Sequence, residues 1–127
     1  MTRVKALRES IRLELERVCG IPFYNEFARP AAKPPFGVCS LLLLRRQENW
    51  DDYDLLVNIA DYSTDEEKVE ALAEKALEHL DCLDYFGEDG TSWSCYINSC
   101  QPIDNTDKNI YQRRISATIK YYKGLIL

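Results

Sequence analysis

Two long stretches of the chain alternate apolar and polar residues, and this alternation constrains the fold more than any other feature. In residues 50–62 the apolar positions are Tyr53, Leu55, Val57 and Ile59. In residues 109–123 they are Tyr111, Ile115, Ala117, Ile119 and Tyr121. Because successive side chains of a strand point to opposite faces, each stretch predicts a strand with one apolar face, as in an antiparallel sheet covered on one side.

Two further segments predict the partners of these strands. Residues 36–47 form a strand joined to 50–62 by the short link 47–49, and residues 91–99 form one joined to 109–123 by a polar loop. The first of them contains four consecutive leucines, residues 41–44, which break the alternation. Both faces of this run must therefore be covered, and we expect helices on one side and a neighbouring subunit on the other.

Two amphipathic helices separate the hairpins. Residues 4–19 carry an apolar stripe at spacings of three and four, followed by Gly20 at the position of a C-terminal cap. The second helix opens at Ser63, which forms a predicted capping box with Glu66, and its apolar stripe runs to Leu80. The order helix, hairpin, helix, hairpin predicts a single α+β domain over residues 1–127, with two helices on one face of a four-stranded antiparallel sheet.

Residues 21–35 hold four prolines and are predicted to be an irregular loop. The loop also carries the aromatic residues Phe23, Tyr24 and Phe27. These rings either pack down onto the domain or form a loop that meets a partner, and both interpretations stay open.

The charge is unevenly distributed along the chain. The net charge of −5 disfavours a general nucleic-acid binder. Residues 62–90 contain ten acids and two lysines, a net of −8, whereas residues 105–127 contain one acid and five bases, a net of +4. The two regions either are solvated faces that balance within one fold or provide complementarity between neighbouring copies.

The sequence offers little catalytic chemistry. Its five cysteines include no Cys-x-x-Cys pair, His79 is the sole histidine, and no glycine-rich phosphate motif occurs. Asp51, Asp52 and Asp54 form an acidic cluster that is either a solvated surface or a cation site without EF-hand spacing. We therefore predict a protein that is not an enzyme and has no cofactor and no metal. Because no apolar run is long enough to cross a bilayer and no signal peptide is recognised, we also expect a cytosolic-type protein without an anchor.

The arrangement as a whole resembles the small tail terminator, or tail completion, proteins of long-tailed bacteriophages and related prophages. The resemblance is carried by the Pro-rich entry to a strand at 33–38, the turn at Asp61, Tyr62 and Ser63, and the final strand at 110–119. It covers residues 4–122. The five cysteines and the tetraleucine strand depart from the family's pattern.

The resemblance implies a structural virion protein at the head-proximal end of the tail, present in the host cytoplasm during assembly. Such proteins form a ring, commonly a hexamer, that ends polymerisation of the tail tube and joins the head. The implied partners are further copies of the chain, the tail tube protein and a head-completion or connector protein, with DNA passing through unread. The alternatives are another neck, connector or minor capsid protein, or a host adaptor or small-ligand-binding module.

Candidate interface residues follow from the charge distribution within this hypothesis. An acidic surface is expected to face the lumen or a basic neighbour, and the outward face of the last strand is its expected basic partner. The acidic candidates are Glu66, Glu70, Glu74 and Asp84, and the basic candidates are Arg114 and Lys120.

Overall fold

The computed structural model of the protein describes residues 2–103 and 107–123. Two helices, six strands and a 3₁₀ turn follow one another along the chain. They are α1 (Arg3–Cys19), β1 (Phe23–Asn25), β2 (Phe36–Arg46), β3 (Trp50–Tyr62), the 3₁₀ turn (Ser63–Asp65), α2 (Glu66–Leu80), β4 (Asp84–Phe86), β5 (Ser92–Ile103) and β6 (Ile110–Tyr122). Neither helix has the length and apolar character needed to cross a membrane.

The strands form one mixed, curled sheet in the order β1-β2-β3-β6-β5-β4. β1 runs parallel to β2, and every other neighbouring pair is antiparallel. The predicted four-stranded antiparallel sheet is therefore wrong, because a short strand is added at each edge. The four long strands and the order helix, hairpin, helix, hairpin are present as predicted.

The two edge strands were missed because three residues are too few to show an alternating pattern. β1 lies inside the segment predicted to be an irregular loop, and it is held there by Phe23, which is fully buried. Phe23 pairs with Gly37 of β2, and its ring occupies the space that a side chain at Gly37 would fill. The glycine thus permits the close approach that adds a parallel strand to the sheet.

The hydrophobic core lies between the helices and one face of the sheet. We call this the inner face. Its central residues are the apolar positions of the alternating strands, together with the buried stripes of both helices. On β3 and β6 they are Tyr53, Leu55, Val57, Ile59, Ile115, Ala117, Ile119 and Tyr121. A hydrogen bond of 2.9 Å from the Trp93 indole to the Ser10 hydroxyl ties β5 to α1 within this layer.

The helix caps agree with the sequence at α1 and differ at α2. Thr2 accepts a hydrogen bond from the Lys5 amide, and Gly20 ends α1 in the left-handed conformation. The capping box predicted for Ser63 and Glu66 is absent, because residues 63–65 form the 3₁₀ turn instead. The Ser63 amide donates to the carbonyl of Asn109, which directs this turn toward the start of β6.

The contact between Phe23 and Gly37 predicts a large effect for a small substitution. In Gly37→Ala the new methyl group overlaps the Phe23 ring, so the ring or the strand must move. We expect the free energy of unfolding to fall by about 1–3 kcal/mol, measured by urea denaturation. Ser40→Ala, on the opposite face of the same strand, is the control and should change stability by less than about 0.5 kcal/mol. Equal stability of the two variants would contradict the packing of β1.

Candidate assembly surface

The face of the sheet opposite the helices is here named the outer face. Register places Asp54, Thr118 and Leu42 in one cross-strand row at the β2–β3 hairpin end. The next row toward the hairpin contains Asp52 and Lys120. Within residues 2–103 and 107–123 both helices lie against the inner face, so the outer face is left open to solvent or to another molecule.

The most apolar part of this surface is the end of β2. Residues 42–46, here named the arm, contain Leu42, Leu43 and Leu44, of which Leu42 is 63% exposed and Leu44 57% exposed. The predicted coverage of the tetraleucine run is thus only partly present, since Leu41 packs against the core and the other three leucines do not. A register shift between Leu43 and Arg45 leaves Leu44 without a cross-strand partner.

The arm also exposes a strand edge. β1 pairs with β2 only at residues 37–39, so the described chain leaves the edge of β2 unpaired from residue 40 to 46. The free part of β5 differs, because it carries a register shift between Ile97 and Ser99 and a proline at position 102. Bulges and prolines are devices that protect sheet edges from association, whereas a long apolar edge promotes it.

A cleft of about 620 Å³ opens beside β4, at the edge of the sheet opposite β1. Half of its lining residues are aromatic and one is a carboxylate, and we refer to it as the cleft. The lining residues are Asn49, Trp50, Asp84, Phe86, Ser92, Trp93, Ser94 and Tyr122. Phe86 is 76% exposed, which is unusual for a phenylalanine in a regular strand.

Hydrogen bonds fix the floor of the cleft. The Ser94 hydroxyl lies 2.5 Å from the Asp84 carboxylate and 2.9 Å from the Tyr122 hydroxyl. The hydroxyl of Ser92 is buried and has no hydrogen-bond partner among the described residues. Burial without a partner is unfavourable for a hydroxyl.

The predicted acidic interface residues lie on two different elements of the structure. Glu66, Glu70 and Glu74 lie exposed on α2, whereas Asp84 lies on β4 beside the cleft. The acidic candidates therefore do not form one surface. Arg114 and Lys120 do lie on the outer face as predicted.

Both basic residues already have contacts within the chain. Arg114 donates through Nε to the side-chain oxygen of Asn58 at 3.0 Å. The Lys120 ammonium lies 5.2 Å from the centre of the Trp50 ring and 5.7 Å from that of Tyr96, in the range of a cation–π interaction. These contacts hold the two cations in place on the outer face.

The basic residue that meets the acidic helix is one that sequence reasoning missed. Arg113 approaches Glu70 at 3.8 Å, and the Tyr111 hydroxyl lies 3.4 Å from the same carboxylate. Residue 113 has the same parity as the core positions 115, 117 and 119, so its side chain is directed to the helical side. The alternation of β6 therefore contained the signal that selects Arg113 over Arg114.

The aromatic loop candidates have different environments. Phe23 belongs to the core, so of the two interpretations left open for the loop, packing onto the domain applies to this residue. Tyr24 is half-buried and packs edge-to-face on Phe36 at 6.2 Å between ring centres. Phe27 is 83% exposed and is the one of the three that stays available to a partner.

The acidic cluster of the hairpin is engaged in structural contacts. Asp51 is buried and lies 2.9 Å from the Lys123 ammonium, so it is compensated by an ion pair. Asp52 accepts a hydrogen bond from the Trp50 indole at 3.1 Å. Among the residues with described positions, no group of three or more His, Cys, Asp or Glu side chains is arranged to hold a metal ion.

Comparison with known proteins extends the description of the fold. No family model matches the chain, and no curated protein matches it. The structure is similar to a chain from the virion of a native gene transfer agent particle, with a TM-score of 0.63 and 9% identity, over 86% of this chain and 84% of that one. A second solved chain without a functional name has a TM-score of 0.65 and 14% identity, over 95% and 94% of the two chains. At these identities the likeness establishes a shared fold.

The thiol groups differ sharply in their environments. Burial raises the pKa of Cys19 to about 11 and that of Cys39 and Cys95 to about 12. These three thiols therefore remain protonated at neutral pH and are poor nucleophiles. Cys82 is exposed and Cys100 is half-buried.

These environments predict the order in which the thiols react. Native protein treated with iodoacetamide at neutral pH should gain one adduct rapidly at Cys82 and a second slowly at Cys100, as followed by intact mass and peptide mapping. Three further adducts should form only after denaturation, and Cys82→Ser should remove the rapid one. Rapid native modification of Cys39 or Cys95 would contradict the packing of the core.

Proposed function

We propose that this protein is a structural component of a phage-like virion, and specifically a tail terminator that forms a ring on the end of the tail tube. The ring ends polymerisation of the tube and provides the surface that joins the tail to the head. The role is steric, so it requires no catalytic group, cofactor or metal.

The observation that carries the proposal is the open outer face with its exposed arm. An unpaired strand edge bearing three exposed leucines is a liability in a free monomer and is suited to a subunit that is buried in an assembly. Exposed phenylalanines lie near both edges of the sheet, Phe27 after β1 and Phe86 in β4. A subunit with different contact surfaces on its two sides is suited to head-to-tail association, which closes into a ring when the rotation permits.

The likeness to a virion chain supports the choice of assembly. The similarity spans most of both chains, so it concerns the whole fold rather than one shared motif. The element order that resembles tail terminators is present in the structure, with the two short edge strands added. Together these points favour a virion subunit over an adaptor or a ligand-binding module.

In this proposal the acidic surface of α2 faces the lumen of the ring. Glu66 and Glu74 are exposed, and the helix carries further acids on the same solvent side. If α2 lines the lumen of the ring, its negative potential repels the phosphate backbone and lets DNA pass without being held. The tail tube protein and a head-completion protein are the partners of the two rims.

Deletion of the gene in the genome that encodes the chain tests the tail-terminator role. Electron microscopy should show tail tubes of irregular, excessive length that are not joined to heads, because nothing ends polymerisation. Supplying the wild-type chain in trans should restore uniform tails.

Two outcomes would contradict the proposal at different levels. Tails of normal length that remain unjoined would reject a terminator and indicate another neck or connector protein. Normal tails joined to heads would reject a virion role at this position altogether.

A further inference from the structure

We propose that the arm of one copy docks into the cleft of a second copy, so that Leu42 and Leu44 contact the aromatic lining around Phe86. This inference rests on the proposed self-assembly and names the surfaces that form the contact. It rests on the complementary apolar and charged groups of two exposed surfaces, the arm and the cleft.

The arm provides apolar side chains together with positive charge. Leu42 and Leu44 are largely exposed, and Arg45 and Arg46 follow them directly in sequence. Arg46 lies 3.9 Å from Asp51 but remains mostly exposed, and Arg45 makes no ion pair within the described residues. The arm therefore presents leucines next to two available guanidinium groups.

The cleft provides the complement of these properties. Trp50 and Phe86 offer apolar surface, and the exposed Asp84 offers a carboxylate at the same site. The turn that follows β4 carries two more exposed acids, Glu88 and Asp89, which lie outside the lining of the cleft. Burial of aliphatic side chains against aromatic rings, with arginine opposite carboxylate at the rim, is a common arrangement in protein interfaces.

The arm also carries unpaired backbone groups. Between residues 40 and 46 the free edge of β2 leaves amide and carbonyl groups without partners among the described residues. A strand that enters the cleft brings these groups to its polar lining, which includes the exposed Asp84.

The arm and the far wall of the cleft lie on different strands of one subunit. Asp84 and Phe86 lie on β4, four strand spacings or about 19 Å from β2, whereas Trp50 at the near wall lies on β3, beside β2. A copy can therefore use its arm on one neighbour while its cleft receives the arm of another. This arrangement supports a chain of identical contacts, which is the requirement for a ring.

Native mass spectrometry of two complementary variants tests the contact. Leu44→Asp disables the arm and leaves the cleft intact, whereas Phe86→Asp does the reverse. Wild-type protein should form a discrete oligomer as concentration rises, and each variant alone should remain monomeric with an affinity lowered by about 30-fold or more. An equimolar mixture should give a heterodimer with one copy of each, because one intact arm and one intact cleft remain.

Leu13→Asp is the matched control, since Leu13 is an exposed leucine on α1, away from the outer face. It should assemble like the wild type. Removal of residues 124–127 should also preserve the oligomer. This result would show that the arm, and not the apolar residues 124–127, occupies the cleft. Circular dichroism of all variants establishes that they are folded.

The outcomes separate this inference from the proposed function. A wild-type oligomer that persists in both variants overturns the arm–cleft contact and leaves ring formation intact. If the wild type forms only a dimer and each variant abolishes it, the arm–cleft contact is supported and the ring is rejected. Wild-type protein that stays monomeric, or an oligomer lost only on removal of 124–127, overturns the inference.

Discussion

The pairing of β3 with β6 is the interaction on which the rest of the structure depends. The two strands run antiparallel in unbroken register from the pair of Trp50 and Tyr122 to that of Tyr62 and Ile110. Both strands alternate in phase, so a single register places their buried core residues, from Tyr53 to Ile59 and from Ile115 to Tyr121, together on the inner face. A slip by one residue would turn the core side chains of the shifted strand to the outer face, which is why this register is strongly specified. The helices, the outer strands and the cleft are arranged around this central pair.

The parts of the fold that could be predicted are those with a long periodic signal. The helices and the strands β3 and β6 repeat their patterns over many residues, so helical and extended segments are distinguishable from sequence. β1 and β4 have three residues each and are defined by tertiary contacts, such as the fit of Phe23 over Gly37. A tertiary fit of this kind leaves no pattern in the local sequence, so these strands could not be predicted from it. The predicted capping box failed for a similar reason, since the Ser63 amide is bound to Asn109, a residue far along the chain.

The candidate surface was predicted only in part for reasons of the same kind. The sequence placed Arg114 and Lys120 on the outer face, and it identified the leucine run as a segment needing cover on both sides. It could not show that β1 stops pairing at residue 39, which is what exposes the edge of the arm. Nor could it show the cleft, which is assembled from β3, β4, β5 and β6. A surface built from several distant segments depends on topology, and topology at the sheet edges depends on the two strands that periodicity misses.

The most direct test of the central claim, that the arm and the cleft are covered by self-association, is hydroxyl-radical footprinting of the wild-type protein at low and high concentration. We expect oxidation of Leu42 and Leu44 to fall together with that of Phe86 as the oligomer forms, while oxidation of Leu13 is unchanged. The paired change is expected because one contact buries both surfaces at once. Unchanged oxidation of the leucines and of Phe86 in an assembled sample would contradict the account.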